Sequence, residues 1–301
     1  MRRLMTSAFF FLKVQNPAYR SATFFLYIIL QYKILMFRRI LTYSLFLFLP
    51  LFAMAQVDYK SDFALLLDYN TLDEDKVDIS DRIALSMFDD ICANATFGDS
   101  LKVEQVNIVK SKDQLLTIYT WYYILSDGIF QYAGIINYKG NLEVLKYNDG
   151  IISDSKKYKA NNWCGGIYYD IATHSEKNKK YYTLLAWDGN NGVMSKKIID
   201  ILIFDANDNP IFGLPLFVDG RKTTNRVIIE YSTKSSLLLE FDDAKNTIIT
   251  NSLLIDDVLD DADYLNTIGN EFNEYRFEEA MWVLYRNVDL RFNEAESAKF
   301  K

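Results

Sequence analysis

The sequence has few of the residues from which metal, redox and nucleophilic sites are usually built. Its 301 residues include one histidine, two cysteines, four prolines and 12 glycines. A single histidine excludes a zinc site made of several imidazoles. Scarce proline and glycine argue against a disordered or low-complexity chain. No Gly-x-Ser-x-Gly, Walker or dinucleotide-binding motif occurs, so no cofactor is expected.

Acidic residues are absent from the first 55 positions, although the chain as a whole carries a net charge of −7. Removing the seven bases of this stretch leaves 26 bases against 40 acids, a net charge of −14. A chain of this charge is repelled by phosphate backbones, so nucleic acid is not an expected partner. The seven bases are Arg2, Arg3, Lys13, Arg20, Lys33, Arg38 and Arg39.

The segment 36–55 has the three parts of a secretory signal peptide. Arg38 and Arg39 form a basic start, 40–52 is apolar, and 53–55 reads Ala-Met-Ala, a small-x-small cleavage site. The apolar run is shorter than the roughly 20 residues of a membrane-spanning helix. We therefore expect a periplasmic or secreted product with no membrane span, and an uncleaved anchor is the alternative.

Residues upstream of this signal resemble neither a leader nor a domain. We interpret 1–35 as a mis-annotated extension and expect the native start at Met36, with Gln56 as the first residue after cleavage. The predicted organisation continues with an N-terminal helical segment at 56–97 and an antiparallel β domain at 98–301.

The helical segment shows apolar residues at helical spacing. Phe63, Leu66 and Leu67 share one face, and Ser80 or Asp81 is predicted to cap a second helix. That second helix places four apolar residues on one side. They are Ile83, Met87, Phe88 and Ile91.

Ten strand-like runs, rich in β-branched and aromatic residues, follow at short and regular spacing. No helix of ten or more residues separates consecutive runs, which excludes parallel βαβ units. The sequence predicts a mainly β fold, an antiparallel meander closed as a sandwich or barrel, with a propeller as the alternative. The runs are 101–109, 115–125, 129–138, 142–147, 166–172, 181–187, 197–204, 226–231, 236–241 and 246–250.

The C-terminal segment fits two periodicities. Phe277, Met281 and Leu284 suit a helix, whereas the aromatic and β-branched composition of 282–290 suits a strand. We predict a strand.

Several blocks of this chain resemble a family of uncharacterised exported bacterial proteins. The resemblance covers most of 97–292 and implies export and a β-rich fold, without an activity. The blocks are YYTLLAWDGN at 181–190, KKIID at 196–200, FD at 204–205, PIFG at 210–213, VIIEY at 227–231 and WVLYRNVDLR at 282–291.

Two Asp/Asn/Gly clusters are candidate calcium sites. Asp205, Asn207 and Asn209 place oxygen donors at alternate positions, but Pro210 stands where an EF-hand needs glycine. The other cluster, at 188–192, contains a single carboxylate and therefore supplies little negative charge for binding Ca²⁺. These residues also favour left-handed turn conformations, so we interpret both clusters as hairpin turns. The second set of candidate ligands is Asp188 and Asn190.

The cysteines allow two further hypotheses. In an exported chain Cys92 and Cys164 can form a disulfide, and two buried free thiols are the alternative. Cys164 and His174 can also pair as thiol nucleophile and base. Against that pairing, His174 lies in the polar stretch 173–179, which predicts an exposed turn.

Carboxylates and aromatic side chains complete the candidate chemistry. Glu230 and Glu240 end two runs and form a candidate hydrolytic pair, with solvated strand ends as the alternative. The aspartates of 255–263 are interpreted as a solvated loop or short helix. The aromatic residues suit either a sugar-binding platform or the core. They are Trp121, Tyr122, Tyr123, Trp163, Tyr168, Tyr169, Tyr181, Tyr182 and Trp187.

These observations favour an exported, non-catalytic binding or structural module over an enzyme. The expected partner is a protein or glycan of the cell envelope. Two alternatives remain open. One is a carboxylate-dependent hydrolase acting on envelope glycans or polymers, and the other is a calcium-stabilised adhesion-type module.

Overall fold

The computed structural model describes residues 59–94, 103–176, 179–254 and 267–289, together with Lys33. The chain divides into two compact units, Met1–Val57 and Asp58–Lys301, and every described residue except Lys33 belongs to the second. The predicted signal peptide, the upstream extension and the aspartate cluster at 255–263 lie outside the described residues.

Two helices open the described part of the chain, α1 (Tyr59–Leu67) and α2 (Asp73–Ala93). Acidic residues in the first turn of α2 suit the positive end of the helix dipole. The predicted cap at Ser80 or Asp81 was wrong, because α2 begins seven residues before Ser80. The Ser80 hydroxyl is buried and accepts a hydrogen bond from Trp121 Nε1 at 3.1 Å.

Sixteen strands follow in the described residues. The first eight are β1 (Asn107–Lys110), β2 (Leu116–Ile124), β3 (Phe130–Tyr138), β4 (Asn141–Lys146), β5 (Tyr158–Lys159), β6 (Ile167–Glu176), β7 (Lys179–Asp188) and β8 (Met194–Phe204). The others are β9 (Pro210–Phe212), β10 (Phe217–Asp219), β11 (Lys222–Thr224), β12 (Arg226–Ser232), β13 (Leu239–Asp242), β14 (Thr247–Leu254), β15 (Thr267–Glu278) and β16 (Met281–Val288).

These strands form three open sheets. The first sheet has the order β1-β2-β3-β4, and the second β5-β9-β8-β7-β6 with β12 also paired to β8. The third sheet has the order β11-β10-β16-β15-β14-β13, in which β10 and β16 run parallel. All other strand pairs are antiparallel. The predicted mainly β, antiparallel fold with N-terminal helices is confirmed, as layered sheets and not as a closed barrel.

Alternation along the strands creates three stacked cores. On β2, Tyr119 and Trp121 face the helices, while Leu116 and Ile118 face the second sheet. On β8, Ile198 joins the core shared with the first sheet, and its neighbours Ile199 and Ile201 join the core shared with the third. Both inner sheets are therefore covered on both faces, which explains their nearly continuous apolar runs.

Hydrogen bonds between polar side chains connect the layers. Tyr132 of the first sheet donates its hydroxyl to Asp188 Oδ1 of the second at 2.6 Å. Trp282 Nε1 of the third sheet donates to Thr183 Oγ1 of the second at 3.1 Å. Each bond satisfies groups that are buried or half-buried and thereby fixes how adjacent layers align.

The end of the chain contains one confirmed and one missed strand. β16 confirms the strand predicted at 282–290, and Trp282 is completely buried in the third core. Its partner β15 was not predicted, because charged residues alternate with aromatic ones along it. The short strands β5, β9, β10 and β11 were missed as well.

Candidate functional site

An open groove of about 480 Å³ lies where β14 and β15 meet the turn before β14. Its volume is within the range typical of ligand-binding sites. Thr247 and Arg276 are register partners, so their side chains share one face of the third sheet. Strand alternation places Glu274 and Glu278 on that same face. The groove is lined by Lys245, Asn246, Thr247, Glu274, Arg276, Phe277 and Glu278.

An ion pair organises one wall of the groove. Arg276 donates from Nε and Nη2 to Glu274 Oε2 at 2.9 and 2.8 Å. The Glu274 side chain is only 3% exposed, whereas that of Arg276 is 40% exposed. The guanidinium also lies 4.2 Å from the centre of the Tyr285 ring, a cation–π contact. Water therefore reaches the Arg276 side chain but not the Glu274 side chain.

Tyr285 extends this arrangement to a second carboxylate. Its hydroxyl donates to Oε1 and Oε2 of Glu278 at 3.1 and 3.2 Å. The charged and aromatic groups thus form a connected row along the face, in which each side chain is oriented by its neighbour. Because these side chains are already ordered, they lose less conformational entropy when a ligand binds.

Thr247 lines the same groove, and its hydroxyl is buried. The residue is 5% exposed, and its Oγ1 has no hydrogen-bond partner among the residues that the structure describes. A buried hydroxyl without a partner costs about 1–3 kcal/mol. A ligand that both donates and accepts hydrogen bonds would relieve that cost.

The turn before β14 forms the rim of the groove. Asp242 Oδ1 accepts hydrogen bonds from the backbone nitrogens of Ala244 and Lys245 at 3.0 and 3.2 Å. Asn246 has a φ of 54°, a left-handed conformation that asparagine tolerates. Residues 242–246 therefore form a turn that places Lys245 beside the ion-pair wall.

Behind the groove, Phe277 connects it to the only histidine of the chain. His174 stacks on Phe277 with ring centres 4.2 Å apart and meets Trp282 edge to face at 5.1 Å. It is 8% exposed, and burial lowers its pKa to about 4. The predicted exposed turn at His174 was wrong, because β6 continues through it to Glu176.

The calcium candidates Asp188 and Asn190 are engaged with protein groups. Asp188 Oδ1 accepts hydrogen bonds from Tyr132 and from the Asn190 backbone nitrogen at 2.6 and 2.7 Å. Asn190 Oδ1 accepts from Lys196 Nζ at 3.1 Å, and its Nδ2 donates to Glu230 at 3.4 Å. These bonds join β7, β8 and β12 at one end of the second sheet.

The other candidates lie in the exposed turn between β8 and β9. Asp205 Oδ1 accepts from the backbone nitrogens of Asn207 and Asn209 at 2.8 and 2.9 Å, and Asn209 Nδ2 contacts both carboxylate oxygens. Hydrogen bonds from Asn209 lower the pKa of Asp205. Asp208, at φ 61°, forms the left-handed corner of this turn. In the described part of the chain no group of three or more metal-binding side chains converges.

The structure keeps the two cysteines apart as free thiols. Cys92 is exposed on α2, so the alternative of two buried thiols was wrong for this residue. Cys164 is buried, and burial raises its pKa. Its Sγ lies 4.0 Å from Asp200 Oδ2, while His174 belongs to the aromatic cluster of the third core.

The remaining candidates separate in the structure. Glu230 lies on β12 of the second sheet and Glu240 on β13 of the third, so the two carboxylates of the candidate hydrolytic pair are not on adjacent strands. Most of the proposed aromatic platform is core: Trp121, Tyr123, Trp163, Tyr168 and Tyr182 are all buried.

Sequence reasoning missed all seven residues of the groove as site residues. One signal was available, because the stretch Asn273-Glu274-Tyr275-Arg276-Phe277-Glu278 alternates polar and aromatic side chains with the period of a strand. Thr247 carries no comparable signal, since its position opposite Arg276 depends on a pairing of distant segments.

No protein-family model, no curated protein and no solved structure matches this chain. The resemblance to exported bacterial proteins therefore stays a prediction. None of the described helices is both long and apolar enough to cross a bilayer.

Proposed function

We propose that this protein is an exported, non-catalytic binding module of the periplasm or cell envelope, and that the groove of the third sheet holds its ligand. The observation that carries the proposal is the buried Thr247 hydroxyl, which has no hydrogen-bond partner among the described residues and lies beside a pre-oriented Arg276–Glu274 pair. The signal-peptide pattern at 36–55 supports export.

The spacing of the groove carboxylates supports a binding role over hydrolysis. Glu274 and Glu278 are four residues apart on one strand, so their Cα atoms are about 14 Å apart at about 3.4 Å per residue. Glycoside hydrolases hold their two carboxyl groups about 5–9.5 Å apart. Glu274 is also held in its ion pair with Arg276 and is not directed at Glu278.

Expression of the full chain in a bacterial host tests both parts of this proposal. The protein should be recovered from the periplasm or medium with Gln56 at its N-terminus. An extract of envelope material should raise the melting temperature of the purified protein, because a ligand that binds only the folded state stabilises it. Retention in the cytoplasm with residues before Gln56, or extracts that leave the melting temperature unchanged, would contradict the proposal.

A further inference from the structure

We infer that the ligand of this groove is a neutral, hydroxyl-rich saccharide, which contacts Thr247 and the Arg276–Glu274 pair. The inference rests on the proposed binding function and adds the chemical class of the ligand.

The balance of charge in the groove is the first argument. Lys245 and Arg276 contribute two positive charges, and Glu274 and Glu278 contribute two negative ones. A ligand with a large net charge therefore gains no net attraction from these four residues. The charge balance therefore favours a ligand that is either neutral or zwitterionic.

The existing partners of these charges give the second argument. Arg276 is bonded to Glu274, Glu278 accepts from Tyr285, and Lys245 Nζ lies 3.5 Å from Asp242 Oδ2. Each charged group of a zwitterionic ligand would have to displace one of these existing partners in order to bind the charged side chain. A hydroxyl-rich ligand can instead add to them, because a paired carboxylate retains acceptor sites and a guanidinium has five N–H donors.

The Thr247 hydroxyl supplies the third argument. Its Oγ1 can donate and accept, and it is buried without a partner among the described residues. A sugar hydroxyl matches it because that group also donates and accepts.

A matched pair of variants tests the inference on the mature protein. Thr247→Val removes the groove hydroxyl and conserves shape. Thr120→Val makes the same change at a fully buried hydroxyl of the first sheet that also lacks a partner in the described residues and does not line the groove. The probes are neutral oligosaccharides of hexose and N-acetylhexosamine units and, for comparison, short zwitterionic peptides, measured by titration calorimetry.

We expect a saccharide to bind, Thr247→Val to weaken it about tenfold, and Thr120→Val to change its affinity less than about twofold. In the unmodified protein this affinity should be nearly constant between about 0.05 and 0.5 M salt, because a neutral ligand is not screened. Thr247-dependent binding of peptides alone would overturn the saccharide inference and leave the binding function standing. Binding of neither probe by a protein that envelope extract stabilises would also overturn it. An extract without effect would contradict the proposed function itself.

Discussion

Two of the arginine–carboxylate pairs among the described residues differ sharply in their surroundings. Arg226 and Asp200 lie inside the second sheet with side chains 0% and 1% exposed, and Arg276 and Glu274 lie in the groove with side chains 40% and 3% exposed. Burying two charges is costly unless every donor and acceptor finds a partner. The comparison separates a pair that is enclosed by the fold from one whose guanidinium remains accessible to solvent.

The inner pair is surrounded by protein partners. Arg226 Nε donates to Asp200 Oδ2 at 3.1 Å, and Nη1 donates to the carbonyl oxygens of Ser153 and Lys156. The guanidinium also lies 4.6 Å from the centre of the Tyr158 ring. Burial raises the pKa of Asp200, an effect that Arg226 opposes. The register pairing of the two residues thus anchors β12 to β8.

The largest expected effect follows from breaking the inner pair. Arg226→Met leaves the Asp200 carboxylate buried and unpaired, and should lower the free energy of unfolding by about 3–5 kcal/mol. Denaturant titration measures the change. The matched control is Arg82→Met, which removes an exposed arginine from Asp62 and should cost less than about 1 kcal/mol. Equal losses in the two variants would contradict the structural role of Arg226.

The next effect concerns His174, which lies between the second and third sheets. Its folded pKa of about 4 is below the ordinary 6.5, so the unfolded chain binds a proton that the folded chain does not between these pH values. Stability should therefore fall as pH decreases from about 6.5 to 4, by about 2–3 kcal/mol from this residue.

The contribution of His174 can be isolated with His174→Phe, which keeps an aromatic ring against Phe277 and Trp282. Denaturation of both proteins at several pH values gives the difference directly. The difference in unfolding free energy between the two proteins should change steadily between pH 6.5 and 4. Above pH 6.5 it should be constant. A difference independent of pH would show that His174 titrates normally in the folded state.

Breaking the groove pair should cost less than breaking the inner pair. Arg276→Met leaves Glu274 without its ion-pair partner, but the arginine side is open to water, which partly solvates the carboxylate. We expect a loss of about 1–3 kcal/mol in unfolding free energy, measured by the same titration. A loss as large as that of Arg226→Met would remove the distinction between the two pairs.

The smallest expected effect is that of a chelator. Asp188 and Asp205 are already hydrogen-bonded to neighbouring backbone and side-chain groups. EDTA should leave the melting temperature of the mature protein unchanged within about 1 °C. A clear decrease that calcium reverses would revive the calcium-stabilised alternative.

The sequence correctly predicted the strands that are apolar in composition and buried on both faces. β2, β3, β7 and β8 are rich in β-branched and aromatic residues because both faces of their sheets are covered, and their positions agree with the predicted runs to within a few residues. β15 escaped prediction because its face toward the groove carries Glu274, Arg276 and Glu278.

The groove depends on information that local pattern does not contain. Thr247 meets Arg276 only through the pairing of β14 with β15, which are separated by a long connection. His174 was misread for a similar reason: its neighbours Ser175 and Glu176 are polar, yet the third sheet packs over its ring. Tertiary burial, and not local composition, decided both positions.

The unfolding free energy of Thr247→Val tests the central claim most directly, because it asks whether the groove hydroxyl serves the fold. The account predicts that this variant is as stable as the unmodified protein or more stable, since valine removes a buried polar group for which the described part of the chain provides no hydrogen-bond partner. A loss of 1 kcal/mol or more would show that the hydroxyl stabilises the folded chain and would contradict its assignment to a ligand.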